Sequence, residues 1–224
     1  MKKTIIIFLI FYLTVLFAMS SFATTKTWIG TISSDWSDGN NWGGTTPGLN
    51  DNIMIPTVAL GIYPVITKSV LLGSGTISIN SNNGSGASLT ISTGGSLVTT
   101  GLISVSANGK FLMNGVSALL NGITSSGIVD VQGGIITSNG CITINSGTLT
   151  QSGGLIHMAA RTETNPTDNL VINGGTVSLS GGTFFVKDFK PSAGSFNQTG
   201  STAVLKISRD WGPGLGHTFN SSKG

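Results

Sequence analysis

From residue 70 onward the sequence is a succession of short runs in which Val, Ile, Leu and Thr alternate with small polar residues. Gly or Asn closes each run. Thr76-Ile77-Ser78-Ile79-Asn80, Ser88-Leu89-Thr90-Ile91-Ser92, Cys141-Ile142-Thr143-Ile144-Asn145 and Leu170-Val171-Ile172-Asn173 are examples. A period of two bounded by turn formers is the pattern of β-strands that bury one side. No stretch after residue 23 carries the i, i+3, i+4, i+7 apolar stripe of an amphipathic helix.

A longer period overlies the short one. Gly75, Gly95, Gly115, Gly134, Gly154, Gly175 and Gly194 follow one another at steps of 20, 20, 19, 20, 21 and 19 residues. Two residues after six of these marks stands a large apolar side chain: Ile77, Leu97, Ile136, Ile156, Val177 and Phe196. A fixed repeat of this length signals a solenoid. Short strands joined by Gly, Asn and Ser turns predict an all-β, right-handed parallel β-helix with about 20 residues per coil. Stacked at the interstrand spacing, six or seven coils make a rod roughly 30 Å long. In that rod Ile, Leu and Val form inward ladders, while Ser, Thr and Asn face solvent. Asn80, Asn145 and Asn173 are expected at corners, where Asn tolerates left-handed backbone geometry. The competing architecture, a β-sandwich, shows hairpin signals at shorter spacing and no long period.

The composition supports this reading. Charged residues are 8% of the chain against 39% apolar, and all 33 glycines follow residue 23. The low charge excludes a coiled coil and a charge-rich disordered tail, and the absence of a three-residue glycine period excludes collagen. The formal charge of +3 includes Lys2 and Lys3; without them nine basic residues face eight acidic ones. That balance leaves no basic footprint for nucleic acid.

Residues 1–23 read as a cleavable secretory leader: a basic start, an apolar run from Ile5 to Met19, then Ser21 and Ala23 at positions −3 and −1. The run is shorter than a membrane span requires, and no later segment is apolar enough to cross. Export with cleavage after Ala23 is therefore expected, with a secreted or outer-surface location. Cys141 is the only cysteine, so no internal disulfide can form. Its strand-like neighbours predict a small buried hydrophobe.

Residues 24–56 differ in texture and predict a Trp-rich cap on the first coil, with β-helix repeats over 57–224. The segment reads Thr27-Trp28-Ile29-Gly30, Ser34-Asp35-Trp36, Asn40-Asn41-Trp42, Pro47 and Asp51-Asn52-Ile53-Met54-Ile55-Pro56, followed by Tyr63-Pro64-Val65-Ile66. Trp28, Trp36 and Trp42 fit two roles: a seal over the open end of a solenoid, or a platform for sugar rings. This opening, followed by Gly-rich short strands, resembles the start of large secreted surface proteins of Bacteroidetes-type bacteria. Those are adhesin-like or β-helix proteins that carry a C-terminal type IX secretion sorting domain. The resemblance implies a stalk or adhesive surface module without catalytic activity. It also implies that further coils and a sorting domain follow residue 224, because Val204–Trp211 looks like the start of another unit.

The usual catalytic signatures are missing from the sequence: no Gly-x-Ser-x-Gly, no His-Glu-x-x-His, no P-loop and no paired cysteines. Polysaccharide lyases and glycosidases need clustered carboxylates, whereas Glu163 is the single glutamate and the seven aspartates are dispersed. One segment breaks the glycine rhythm. His157, Arg161, Glu163 and Asp168 lie close together in a stretch that reads as a loop leaving the coil, and loops on rigid scaffolds carry function. With the three tryptophans they are the candidate ligand-binding residues. An alternative function, a polysaccharide-active enzyme or carbohydrate-binding module, would use them. Asp35, Asp38 and Asp51 with Asn40 fit either calcium or turn chemistry. No catalytic residue, metal or cofactor is assigned. Extracellular polysaccharide or a host or neighbouring cell surface is the expected partner. Lys110 and Asp130 are one coil apart and could pair along a ladder.

Overall fold

The computed structural model describes residues 23–80, 86–158, 169–211 and 217–221. Their backbone forms a parallel β-helix of about seven turns, with roughly 21 residues per turn. Each turn passes over three faces. On the first face lie Asn52–Pro56, Ile77–Asn80, Ile103–Val105, Ile123–Ser125 and Ile142–Ile144. The second carries Ser88–Ile91, Lys110–Met113, Ile128–Val131 and Thr148–Gln151. The third carries Ser69–Gly73, Ser96–Thr99, Ser117–Leu120, Ile135–Ser138 and Leu155–Met158. Two later strands bend round the corners: Asn169–Leu179 covers the first and second faces, and Thr183–Gln198 covers all three. Stacking reaches back into the Trp-rich segment, where Thr25–Thr27 pairs with Asn52–Pro56, and that strand pairs with Ile77–Asn80.

Alternation within each strand sends every second residue inward, so equivalent positions stack into columns. On the first face Ile53, Ile77, Ile103, Ile123, Ile142, Leu170 and Phe189 follow one another in register, all at most 1% exposed. On the second face the column is Leu89, Phe111, Val129, Leu149, Val177 and Phe196. On the third, Leu97, Ala118, Ile136, Ile156 and Phe184 stack in the same way. Burying one such large side chain contributes about 1.5–3 kcal/mol. These columns therefore hold the coils together in a chain with no disulfide.

The expected glycine series proves to be parts of three columns, one at each corner. Gly95, Gly115, Gly134 and Gly154 do stack, since a Cβ on any of the last three would run into the carbonyl oxygen of the glycine below. Gly175 and Gly194 belong to a second column built on Gly147, and Gly75 lies beneath Gly101 in a third. Within the Gly95–Gly154 column the step is one coil; the steps from Gly75 to Gly95 and from Gly154 to Gly175 pass between columns, because the coils there are longer. The coil that holds residues 159–168 is longer: Ile142 to Leu170, Leu149 to Val177 and Ile156 to Phe184 are each 28 residues apart.

Two local expectations are corrected. Among the described residues the non-glycine positions with positive φ are Asn50 and Asn108, so Asn145 and Asn173 are not left-handed corners. They form a side-chain ladder instead: Asn173 Nδ2 donates to Asn145 Oδ1 at 3.0 Å, and Ser192 Oγ donates to Asn173 Oδ1 at 2.8 Å. Cys141 is half-buried rather than buried. It precedes the inward Ile142, and the alternation turns it outward.

Candidate functional site

The N-terminal segment folds around Asn41. This side chain is fully buried, and it uses its whole hydrogen-bonding capacity on the loop that encloses it. Its Oδ1 accepts from the N–H groups of Ile32 and Ser33, while Nδ2 donates to Ser33 Oγ and the Asp35 carbonyl. The adjoining turn, Gly39–Trp42, begins at Asp38, whose carboxylate accepts the Asn40 N–H. Trp42 is thereby placed between the other two tryptophans, edge to face with Trp28 at 4.9 Å and with Trp36 at 4.8 Å. Two of the indole N–H groups find internal acceptors: Trp28 Nε1 donates to the Ile62 carbonyl and the central Trp42 Nε1 to that of Trp36.

Trp28, Trp36 and Trp42 are only 0%, 3% and 5% exposed. The candidate assignment of these residues to sugar binding is corrected accordingly. Their ring faces are taken by one another's edges, and no coplanar exposed row exists for a sugar to stack on. They seal the first coil.

The aspartates of this segment act locally. Asp35 Oδ1 accepts the Ser37 N–H, Asp38 caps its turn, and Asp51 binds Thr24 and Gly48. Among the described residues no three His, Cys, Asp or Glu side chains come together as metal ligands would. Burial alone would push the Asp51 carboxyl up. Hydrogen bonds from the Thr24 hydroxyl, the Gly48 N–H and the Thr24 N–H, aided by the Lys26 charge, hold it below the usual carboxylate range.

His157 lies on the outside of the third face, half-buried, with its ring edge to face against Phe185 of the next coil at 5.2 Å. Arg161, Glu163 and Asp168 lie outside the described residues. On the second face the pair expected from counting coils is present: Lys110 Nζ is 3.3 Å from Asp130 Oδ2. The register sets Asp130 opposite Leu112 and Thr150, so the ion pair runs diagonally. Asp130 also accepts hydrogen bonds from Thr150 Oγ1 and Gln132 Nε2.

The feature that the sequence reading passed over is the outer surface of the third face. The outward positions of the first face are chiefly hydroxyls, such as Ser78, Ser104, Thr124 and Thr143 in one column. On the third face Leu71, Val98 and Leu119 stack outward in register. The apolar track then crosses to the neighbouring outward column at Ile135 and Leu155. Leu71 is 57% exposed and Ile135 44%. Ser69, Ser96 and Ser117 form the parallel hydroxyl row beside the first three. At the capped end this surface runs into a cleft of about 230 Å³ lined by Trp36, Ser37, Thr46, Pro47, Ser69, Val70 and Leu71. Reading every second residue of the runs after Gly95, Gly115, Gly134 and Gly154 as outward would have revealed the track. The surface offers apolar contact flanked by a row of hydroxyls.

The family model of a domain of unknown function, DUF8693, matches residues 27–150, more than half of the chain. The chain belongs to this family. The DUF8693 region takes in the tryptophan seal, the Lys110–Asp130 pair and the apolar track as far as Ile135. No curated protein and no solved structure matches the chain.

Proposed function

We propose that this DUF8693 protein is an exported, non-catalytic surface module. In this reading the β-helix is a rigid stalk, and its third face adheres to extracellular polysaccharide. The observation that carries the reading is the apolar track of Leu71, Val98, Leu119 and Ile135 beside a serine row, ending in a cleft lined by Ser37, Thr46, Pro47 and Ser69 among others. Pyranose rings present an apolar face and a hydroxyl rim, and a flat surface carrying both kinds of group in parallel rows is complementary to them. An exposed apolar run on a rigid β surface calls for a partner. The secretory leader and the resemblance to adhesin-like surface proteins support the same location.

The test is a binding and cleavage screen of residues 24–224 on insoluble neutral and acidic polysaccharides. The protein should sediment with at least one of them and release no reducing sugar. Leu71→Asp and Leu119→Asp should each weaken binding about tenfold or more, equivalent to about 1.4 kcal/mol. Ser78→Asp on the first face should leave binding unchanged. Binding lost equally from both faces, or sugar release abolished by Glu163→Ala, would replace this reading.

A further inference from the structure

Thr24 is the first residue after the expected leader, and the structure holds each of its polar atoms. Its N–H donates to Asp51 Oδ1 at 3.0 Å, and its hydroxyl donates to the same oxygen at 2.6 Å. Its carbonyl accepts the Asn52 N–H at 2.7 Å. The last contact is a rung of the parallel ladder, but the first two are not. They are made by a carboxylate that is 7% exposed, and whose second oxygen is turned to the Gly48 N–H at 2.8 Å. An amide can supply one hydrogen to Asp51 from this nitrogen. An amine at the same nitrogen could supply it with a full charge.

We propose that Asp51 is a docking site for the new N-terminus created by processing at Ala23–Thr24. A leader peptidase adds water across this amide. The C–N bond breaks, Ala23 leaves with the oxygen as a carboxylate, and the Thr24 nitrogen takes the hydrogen and one further proton from solvent. The resulting ammonium lies 3.0 Å from Asp51 Oδ1, in place of the neutral N–H. Charge-assisted bonds of this kind are roughly twice as strong as neutral ones. Cleavage thus tightens the Thr25–Thr27 strand onto Asn52–Pro56, and the first rung of the β-helix is completed by removal of the leader. The site rests on the export reading but not on polysaccharide binding.

The charged group that acts on Asp51 besides this amine is Lys26, whose Nζ donates to Thr45 Oγ1 at 2.6 Å. Lys26 is present in precursor and processed chain alike and does not distinguish them. Pairing raises the folded-state pKa of the amine. Its contribution is therefore complete below the unfolded value of about 8 and is lost as pH rises through the folded value.

The experiment compares a chain released from a fusion to begin at Thr24 with one that keeps Ala23 on the intact amide. Thermal unfolding is followed from about pH 6 to about pH 10, which brackets the ordinary amine value. Near neutral pH the Thr24 form should melt about 3 °C or more above the Ala23 form. The gap should close at the alkaline end, and acetylation of Thr24 should abolish it without altering Asp51. Equal melting points at neutral pH, or a gap that persists undiminished at high pH, would overturn the docking site. Separately, the mass of the chain exported by a bacterial host should place its first residue at Thr24. An intact leader or another first residue would overturn the processing step, whatever the polysaccharide screen returns.

Discussion

Trp28 Nε1 donates to the carbonyl oxygen of Ile62 at 2.8 Å, tying the first tryptophan of the seal to the loop that closes over it. The ring is fully buried, so this bond has no solvent to replace it. Trp28→Phe keeps most of the ring but leaves the Ile62 carbonyl without this donor, and should cost about 1–3 kcal/mol. Trp28→Ala also opens a cavity at the end of the stack and should cost about 3–5 kcal/mol. Denaturant unfolding of the two variants measures the difference. A Trp28→Ala chain as stable as the parent would contradict the seal.

One of the polar side chains that interrupt the core columns lies on the first face. In the first-face column Ile55, Ile79, Val105, Ser125, Ile144 and Ile172 follow in register, and Ser125 Oγ is buried without a hydrogen-bond partner. A buried hydroxyl left unpaired costs about 1–3 kcal/mol. Ser125→Val removes that cost and restores contact between Val105 and Ile144. The melting temperature should rise by about 2–4 °C or more. A fall would mean that the column has no room for two methyl groups.

Lys110 and Asp130 make a contrasting case. The lysine side chain is 40% exposed and the aspartate 18%. Removing the lysine should change stability by less than about 1 kcal/mol, as for other exposed pairs. Asp130→Ala also releases Thr150 and Gln132, and should cost more than Lys110→Ala. Guanidinium unfolding in parallel would establish the order, and the reverse order would show that the lysine stem matters more than the charge.

The strand pattern, the solenoid and this ion pair were legible because each follows from chain distance and alternation. Ile77 and Ile79 announce themselves as inward residues through Thr76, Ser78 and Asn80, the small polar neighbours on either side. The single glycine register was misleading, because the coil after Gly154 is longer than the others, so Gly175 falls short of a full coil and lies at a different corner, while Gly182 stacks on Gly154. Chain distance gives the period but not the phase. The role of the tryptophans could not be read from their spacing. It depends on Asn41 and on the Ile62 carbonyl, partners reached through loop geometry that leaves no periodic trace. The outward track of Leu71, Val98 and Leu119 was hidden for a related reason: in a repeat rich in Val, Ile and Leu, an apolar residue reads as core until the face of its strand is known.

Asp51 predicts the acid limb of stability. Its carboxyl titrates below its ordinary value in the folded chain because the charged form accepts the Thr24 and Gly48 hydrogen bonds. The stability it lends is complete above the unfolded value near 3.9 and is lost as pH falls through the lower folded value. The parent should lose melting temperature more steeply than Asp51→Asn below about pH 4. Parallel acid profiles for the two chains would show that this carboxylate does not contribute.

The corner glycines are a test of coil stacking itself. Gly134 has φ +71°, and a Cβ there would collide with the Gly115 carbonyl of the coil below and approach Met113. Gly61 has nearly the same backbone, at φ +63°, but its Cβ would point into open space. The left-handed backbone costs an alanine about 1–2 kcal/mol at either position. At Gly134 the coil must also move away from its neighbour, which adds about 1–3 kcal/mol of overpacking. Because the Gly115 carbonyl is main chain, it cannot swing aside as the end of a side chain would. Gly134→Ala should therefore be the more damaging substitution by an amount that reflects stacking alone, since the backbone strain cancels between the two. Equal melting points for Gly134→Ala and Gly61→Ala would show that the coils at this corner lie further apart than the register requires.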